Sequence, residues 1–322
     1  MPQTFLVTGA AGLIGSHLCE RLLAAGDRVV GVDNFNDYYD TRQKRANVAG
    51  FADHPDATLV EADIRDATAM EHLFADHRPD AVAHLAAMAN VRYSIGRAPL
   101  YQQVNVTGSL NLLEAAKAHP PEGAPPHFVF ASTSSVYGKT DRVPFTEDDP
   151  CDRPLSAYPA SKRAVELFGY TYHNLHQLSF TAVRFFSVYG PRARPDMMPF
   201  MVTDKIARGE TITLFDAGQM KRDWTYVDDI VAGVELALRQ PLGYEVVNLG
   251  RGEPVLMADF VTMLEELVGQ KAILDTPPAP ASEPKQTFAN IDRAREKLGY
   301  DPQVDVRTGL ERLWDWYQQS RT

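Results

Sequence analysis

The stretch Thr4-Phe-Leu-Val-Thr-Gly-Ala-Ala-Gly-Leu-Ile-Gly15 decides how the rest of the chain is read. Its first five residues are a continuous apolar and β-branched run, the pattern of a strand covered on both faces. Glycines follow at Gly9, Gly12 and Gly15, and helical spacing of apolar residues begins at Leu13 and runs to Ala25. Glycine allows a tight turn and close approach of a pyrophosphate to the backbone. The helix that opens at Gly12, Leu13 and Ile14 offers unpaired N–H groups and positive partial charge to that phosphate. The next apolar run, Arg28–Asp33, ends on an acid. Asp33, with Asn34 beside it, suits the hydroxyls of an adenosine ribose, and its charge repels a 2′-phosphate. The expected cofactor is therefore NAD rather than NADP.

Working outward, apolar runs alternate with helical patterns. Strands are predicted over Thr58–Ala62, Ala81–Ala86, Phe128–Ser132, Thr181–Phe186 and Val246–Gly250, with helices over Ala67–Ala75, Pro99–Ala118 and Ala157–Leu175. Such alternation implies an α/β fold, a doubly wound parallel Rossmann sheet. After about residue 187 the pattern breaks. Ser187–Asp196 reads as a loop, Met197–Arg208 as a short helix, Thr211–Phe215 as a short strand and Asp275–Glu283 as an irregular connection, with helices at Tyr226–Leu238, Ala258–Val268 and Thr308–Gln318. The expected organisation is an NAD-binding domain over 1–186, joined by about 224–250. A smaller, discontinuous C-terminal substrate lobe takes 187–223 and 251–322.

Composition narrows the function classes. A formal charge of -10 argues against nucleic acid as a partner, because phosphate backbones need a basic face. The two cysteines, Cys19 and Cys151, make neither a disulfide framework nor a metal site. No apolar run approaches the ~18 residues of a membrane span. A cytoplasmic enzyme without a metal is the expected class.

Other strand ends point into the same crevice. Asp63-Ile64-Arg65 ends the third strand, where Asp63 suits an adenine amine, with a helix N-cap as the alternative role. His84-Leu85-Ala86-Ala87 ends the fourth with small residues against which a cofactor can lie; His84 reads as a packed strand histidine. Asn105 falls on a helix, where a buried amide can serve local backbone groups. The fifth strand ends in hydroxyls, Ala131-Ser-Thr-Ser-Ser-Val-Tyr-Gly-Lys139. Finally, Ser156-Ala-Tyr158-Pro-Ala-Ser-Lys162 places a phenol and an ammonium one helical turn apart. Pro159 restricts Tyr158 to the first turn. The nearby cation and helix N-terminus are expected to lower the Tyr158 pKa toward neutrality.

The glycine turn, the hydroxyl-ended fifth strand and the Tyr158/Lys162 pair together resemble the extended short-chain dehydrogenase/reductase superfamily, over essentially the whole chain. Asp33-Asn-Phe-Asn-Asp-Tyr-Tyr-Asp40, Val91-Arg-Tyr-Ser-Ile95, Tyr189-Gly-Pro-Arg-Ala-Arg-Pro-Asp-Met197 and Met220-Lys-Arg-Asp-Trp-Thr-Tyr-Val-Asp-Asp229 are similar to nucleotide-sugar epimerases, those of uronates above all. The resemblance implies a catalytic set of Thr133, Tyr158 and Lys162, with Lys162 on the nicotinamide ribose and Asn105 near the cofactor. It implies substrate contacts from Ser134, Ser135 and Ser187, from Arg194 to a sugar carboxylate and from Arg222 to the diphosphate. It also implies a homodimer built on a four-helix bundle.

The implied reaction is C4 epimerisation of a UDP-sugar, UDP-glucuronate to UDP-galacturonate, through a 4-keto intermediate. Alternatives are a UDP-glucose/UDP-galactose epimerase, a net dehydrogenase or ketoreductase, and a non-catalytic NAD-binding scaffold. Related dehydratases resemble Thr-Asp-Glu where this chain has Thr133-Ser134-Ser135, and related decarboxylases Thr-Ser-Glu. Two serines supply no titratable acid/base pair for elimination at neutral pH. The chain departs from the family pattern at Arg192 and Ala193, where a Trp and a Gly are usual. It departs again near Pro280–Glu283, where a nucleotide-contacting arginine is missing and Lys285 or Arg251 is the expected substitute.

Overall fold

The computed structural model describes residues 2–121, 124–279 and 285–321. A seven-stranded, wholly parallel sheet has the order β10-β6-β5-β4-β1-β2-β3. Its strands are β1 (Thr4–Thr8), β2 (Arg28–Asp33), β3 (Ala57–Glu61), β4 (Ala81–His84), β5 (His127–Thr133), β6 (Phe180–Phe185) and β10 (Tyr244–Leu249). The order reverses between β1 and β4, so a crevice opens at their carboxyl ends.

Strand alternation sends Phe5 and Val7 to one face and Leu6 to the other. On the first face they meet Leu18 and Leu22 of α1 (Leu13–Ala24) and Ile230 and Val234 of α8 (Val227–Arg239). On the second, Leu6 meets Phe74 of α3 (Ala67–His77), Leu112 of α5 (Gly108–Ala118) and Val165 of α6 (Ala157–His176). With both faces covered, the core strands read as unbroken apolar runs.

Four smaller strands share a second sheet: β9 (Lys221–Tyr226) pairs with β7 (Ser187–Tyr189), β11 (Pro254–Leu256) and β13 (Gln286–Thr287). The short pair β8 (Thr211–Thr213) and β12 (Ile273–Asp275), with α7 (Met198–Arg208), α9 (Met257–Val268), α10 (Asp292–Leu298) and α11 (Val306–Arg321), completes this side. Two buried carboxylates tie it together. Asp223 accepts from the backbone N–H groups of Arg251, Gly252 and Ala289, and Asp229 from those of Gln303 and Val304.

The structure differs from the sequence expectations at several elements. Pro99–Ala118 is not one α-helix: α4 (Ala98–Tyr101) runs into a π-helical turn, Gln102–Thr107, before α5. Ser187–Asp196 begins with strand β7 rather than loop, because Ser187, Val188 and Tyr189 pair with Trp224, Thr225 and Tyr226. Strand β4 stops at His84, two residues short of Ala86. Helix α2 (Thr41–Val48) was not expected, since only three of its residues are buried and no apolar period marks it. The segment Pro280–Glu283 lies outside the described residues. Among them, no helix is long and apolar enough to cross a membrane.

Candidate active site

The glycine turn has the geometry that phosphate binding needs. Gly9 has φ +72°, and a Cβ on it would sit 2.8 Å from Ala86 N; a Cβ on Gly15 would sit 2.1 Å from Gly9 O. The turn is therefore closed against β4 and against its own helix, and no larger residue fits. Gly12 precedes α1 without any side-chain cap, so the N–H groups over Leu13 and Ile14 are left to a ligand. Asp33 is aimed at this turn: its carboxylate accepts from Ala11 N at 3.1 Å and from Phe35 N at 2.9 Å. This cradle fits a dinucleotide phosphate and ribose.

Asn34 donates to Asp63 at 2.9 Å, and Arg65 grips the same carboxylate through Nε and Nη2. The Arg65 fork lowers the Asp63 pKa to about 2, and both its oxygens are engaged. The alternative N-cap role is not filled by Asp63: Asp66 caps α3 through Ala69 N. Ile64 is a packing residue, lying where a Cβ on Gly108 would collide with it. Ala86 N donates to Thr8 Oγ1, while half-buried Leu85 and Ala87 flank it. His84 is a packed histidine, as expected. Its ring nitrogens meet Thr8 Oγ1 at 2.7 Å and Ser109 Oγ at 2.8 Å, and burial drives its pKa far below the ordinary range. Asn105 sits in the π turn and clamps Met88 through both its N–H and C=O while donating to Ser161 Oγ. The extra residue of the π turn aims this amide across the gap between β4 and α6.

At the chemical end, three successive β5 residues engage three α6 residues spaced one turn apart. Thr133 bonds Tyr158, the Ala131 carbonyl accepts from Lys162 Nζ at 2.8 Å, and Ser132 donates to Glu166 at 2.6 Å. Residues i, i+4 and i+8 lie on one helix face, so a single docking sets all three. Burial pushes Lys162 down to about 7, partly opposed by Glu166. The expected lowering of the Tyr158 pKa is not found. Burial raises it, and the Thr133 hydroxyl and the Arg194 charge offset only part. A lysine near half-protonation at neutral pH, turned onto a carbonyl, contributes little positive field to the phenol. Ser134 and Ser135 follow in a 3₁₀ turn, half-buried, and neither side-chain hydroxyl has a hydrogen-bond partner among the described residues.

The NDYYD and Arg-Pro-Asp-Met segments meet in space. Tyr38 donates to Asp196, which also accepts from Arg194 Nε. Tyr101 packs edge-on to Tyr158 with ring centroids 6.1 Å apart, and the Arg194 charge acts on both phenols. Arg194 thus belongs to the chemical end of the cleft. Arg222 lies elsewhere, on β9 opposite Val255 and Thr287, with Nη1 on Lys221 O. Ser187 opens β7 beside it, half-buried. Of the departures, Arg192 (φ +69°) ion-pairs with Glu20 of α1 at 2.7 Å and so fastens its loop to the glycine-turn helix. Ala193 is fully buried, its carbonyl accepting from Gln43. Arg251 is committed to Glu253 and the Val304 carbonyl.

Sequence reasoning missed Glu166. It is fully buried, gripped by Arg184 through Nε and Nη2 and approached by Arg163 and Ser132. A carboxylate four residues after Lys162 on the same helix face was the available signal.

Comparison with known proteins agrees with this geometry. The NAD dependent epimerase/dehydratase family matches residues 5–250. UDP-glucuronate 4-epimerase 5 of Arabidopsis thaliana is 43% identical over 98% of this chain and 75% of its own length. A probable UDP-glucuronate 4-epimerase of Rhizobium meliloti is 37% identical, over 98% of this chain and 97% of its own. The crystal structure of UDP-glucuronic acid 4-epimerase from Bacillus cereus, in complex with UDP-glucuronic acid and NAD, superposes with a TM-score of 0.90 at 35% identity. It covers 98% of this chain and 99% of that one. Sequence and sheet topology thus converge, and the chain belongs to the NAD dependent epimerase/dehydratase family.

Proposed function

We propose that this protein catalyses NAD-dependent C4 epimerisation of a UDP-sugar, converting UDP-glucuronate to UDP-galacturonate without loss of carbon dioxide. The observation that carries it is the corner where Thr133 bonds Tyr158 within the field of Arg194, followed in the chain by two serines, Ser134 and Ser135. The resemblance of the chain to UDP-glucuronate 4-epimerases supports the choice of sugar.

In this reading Gly9, Gly12, Leu13, Ile14, Gly15, Asp33 and Asn34 hold the cofactor's phosphates and ribose. Leu85, Ala86 and Ala87 line its path to the reaction centre. When bound, NAD supplies a reversible hydride acceptor for C4 and a positive ring charge. Tyr158 holds the proton of the sugar 4-hydroxyl, relayed through Thr133, and returns it after the ketone has turned over. Lys162 fixes the height of β5 against α6. Arg222 anchors the diphosphate while the sugar swings, so binding energy stays on the end that does not react. Arg194 takes the uronate carboxylate, for which its planar fork is matched. Ser134 and Ser135 donate to the same group and keep the C5–carboxylate bond out of line with the ketone, which slows decarboxylation of the β-keto acid. The cofactor domain is 1–186 with about 224–250, and the remaining segments form the substrate lobe.

Replacing Ser135 by Glu restores an acid/base group where a decarboxylase-like sequence has one. Ser135→Glu is expected to divert product to a UDP-pentose, and Arg194→Ala to lower turnover of the uronate; product chromatography reads both. An unchanged product ratio in the first and unchanged uronate kinetics in the second sink the assignment.

A homodimer and a cytoplasmic location complete the proposal. Helix α6 exposes Leu167, Phe168, Tyr170 and Leu175, an apolar face suited to a second copy. Sedimentation at micromolar concentration that returned the mass of a single chain contradicts the dimer. Both cysteines are buried and unpaired, as in a reducing compartment.

A further inference from the structure

Three segments distant in the chain meet on one carboxylate. Asp196 Oδ1 accepts from Arg194 Nε at 3.0 Å, and Oδ2 accepts from the Tyr38 hydroxyl at 2.9 Å and from Asn90 Nδ2 at 2.8 Å. Asn90 has φ +80°, and its Oδ1 is held by Tyr93 N. The Tyr38 ring stands edge-on to Tyr93 at 5.0 Å and lies 5.5 Å from the Arg194 guanidinium. Burial raises the Asp196 carboxyl, but the Arg194 charge and the three donors outweigh it and hold the group ionised.

The consequence for Arg194 is orientation. Its Nε is committed to Asp196, and among the described residues no acceptor takes either Nη group. The free edge of the guanidinium is a two-pronged donor on a side chain that is 22% exposed. Its charge is felt at Tyr158, and its guanidinium lies over Tyr38, which puts the side chain on the Tyr158 side of the cleft. An ionised carboxylate on Nε cancels the net charge of the pair, so Asp196 is not there to strengthen attraction. What it gains is a fixed direction for a long, rotatable side chain.

We propose that Asp196, with Tyr38 and Asn90, is a positioning device that turns the Nη edge of Arg194 toward the carboxylate of a bound uronic acid. Selection of the sugar then depends on the loop that follows Asp33, since Tyr38 belongs to it. This inference rests on the assignment of Arg194 to the uronate made above.

The test compares steady-state kinetics with UDP-glucuronate, the inhibition constant of UDP alone and thermal midpoints for Tyr38→Phe, Asp196→Ala and Arg194→Ala. Tyr38→Phe, which removes the hydrogen bond to Asp196 and a longer one from Asn90 Nδ2 but no charge, is expected to raise KM about threefold, and Asp196→Ala about tenfold. UDP inhibition should stay unchanged in both, because UDP has no uronate carboxylate; a general loss of structure would move it. If Arg194→Ala raises KM while the other two match the parent, the positioning role is overturned and the uronate reading survives. If Arg194→Ala also leaves KM unchanged, the uronate reading falls and takes this inference with it. Should Asp196→Ala unfold or lose UDP binding, Tyr38→Phe alone decides.

Discussion

Tyr158→Phe is expected to lower kcat for epimerisation by about a thousandfold while leaving UDP binding intact. Among the described residues the phenol is the titratable group that bonds Thr133 at the strand end, and positioned proton transfer contributes roughly 10²–10⁴ in rate. The substitution removes a hydroxyl and changes little else, because the ring keeps its edge contact with Tyr101. Burial raises the Tyr158 pKa, so the phenol needs positive charge nearby to act as a base. Lys162, pushed down to about 7 by its burial, is a weak source of that charge. Single-turnover kinetics with calorimetric UDP binding separates the two effects. A tenfold or smaller loss in kcat shows that some other group carries the proton.

Glu166→Ala is expected to cost 3–5 kcal/mol of folding stability, roughly the effect of stranding one partner of a buried ion pair. Arg184 is 1% exposed and Glu166 0%, so the arginine left behind has no access to water. Its guanidinium also lies over the Tyr137 ring at 4.8 Å, and Nη1 has no hydrogen-bond partner among the described residues. Ser132, next to Thr133, loses its acceptor at the same time, so the strand end that carries the hydroxyl is loosened. The paired change Glu166→Leu with Arg184→Met should recover most of the loss, since apolar replacement of a buried pair is often neutral. Denaturant midpoints measure both. A single variant as stable as the parent shows that the pair contributes little to the fold.

What could be read from the sequence was local in the chain. Gly9, Gly12 and Gly15 lie within one turn, and each spacing carries its own reason: positive φ at Gly9, contact with Gly9 O at Gly15. Tyr158 and Lys162 share a helix face by arithmetic. The parts that escaped depend on distant partners. Asp196 meets Tyr38 across 158 positions, and no periodicity encodes that bond. Arg184 sits inside Phe180–Phe185, an otherwise apolar strand, and its partner Glu166 looks like any helix-surface acid until the two are packed. Strands β7, β11 and β13 are two or three residues long, too short for an alternating pattern to show. The raised pKa of Tyr158 escapes the sequence for a related reason: charge is visible there, burial is not.

The most direct test of the account is a proton NMR time course of the purified protein with UDP-glucuronate, followed alongside absorbance at 340 nm. The account predicts that signals of the C4 epimer, UDP-galacturonate, grow to a stable equilibrium with no UDP-pentose and no accumulating reduced cofactor. Appearance of a UDP-pentose, stoichiometric NADH, or epimerisation of UDP-glucose alone contradicts it.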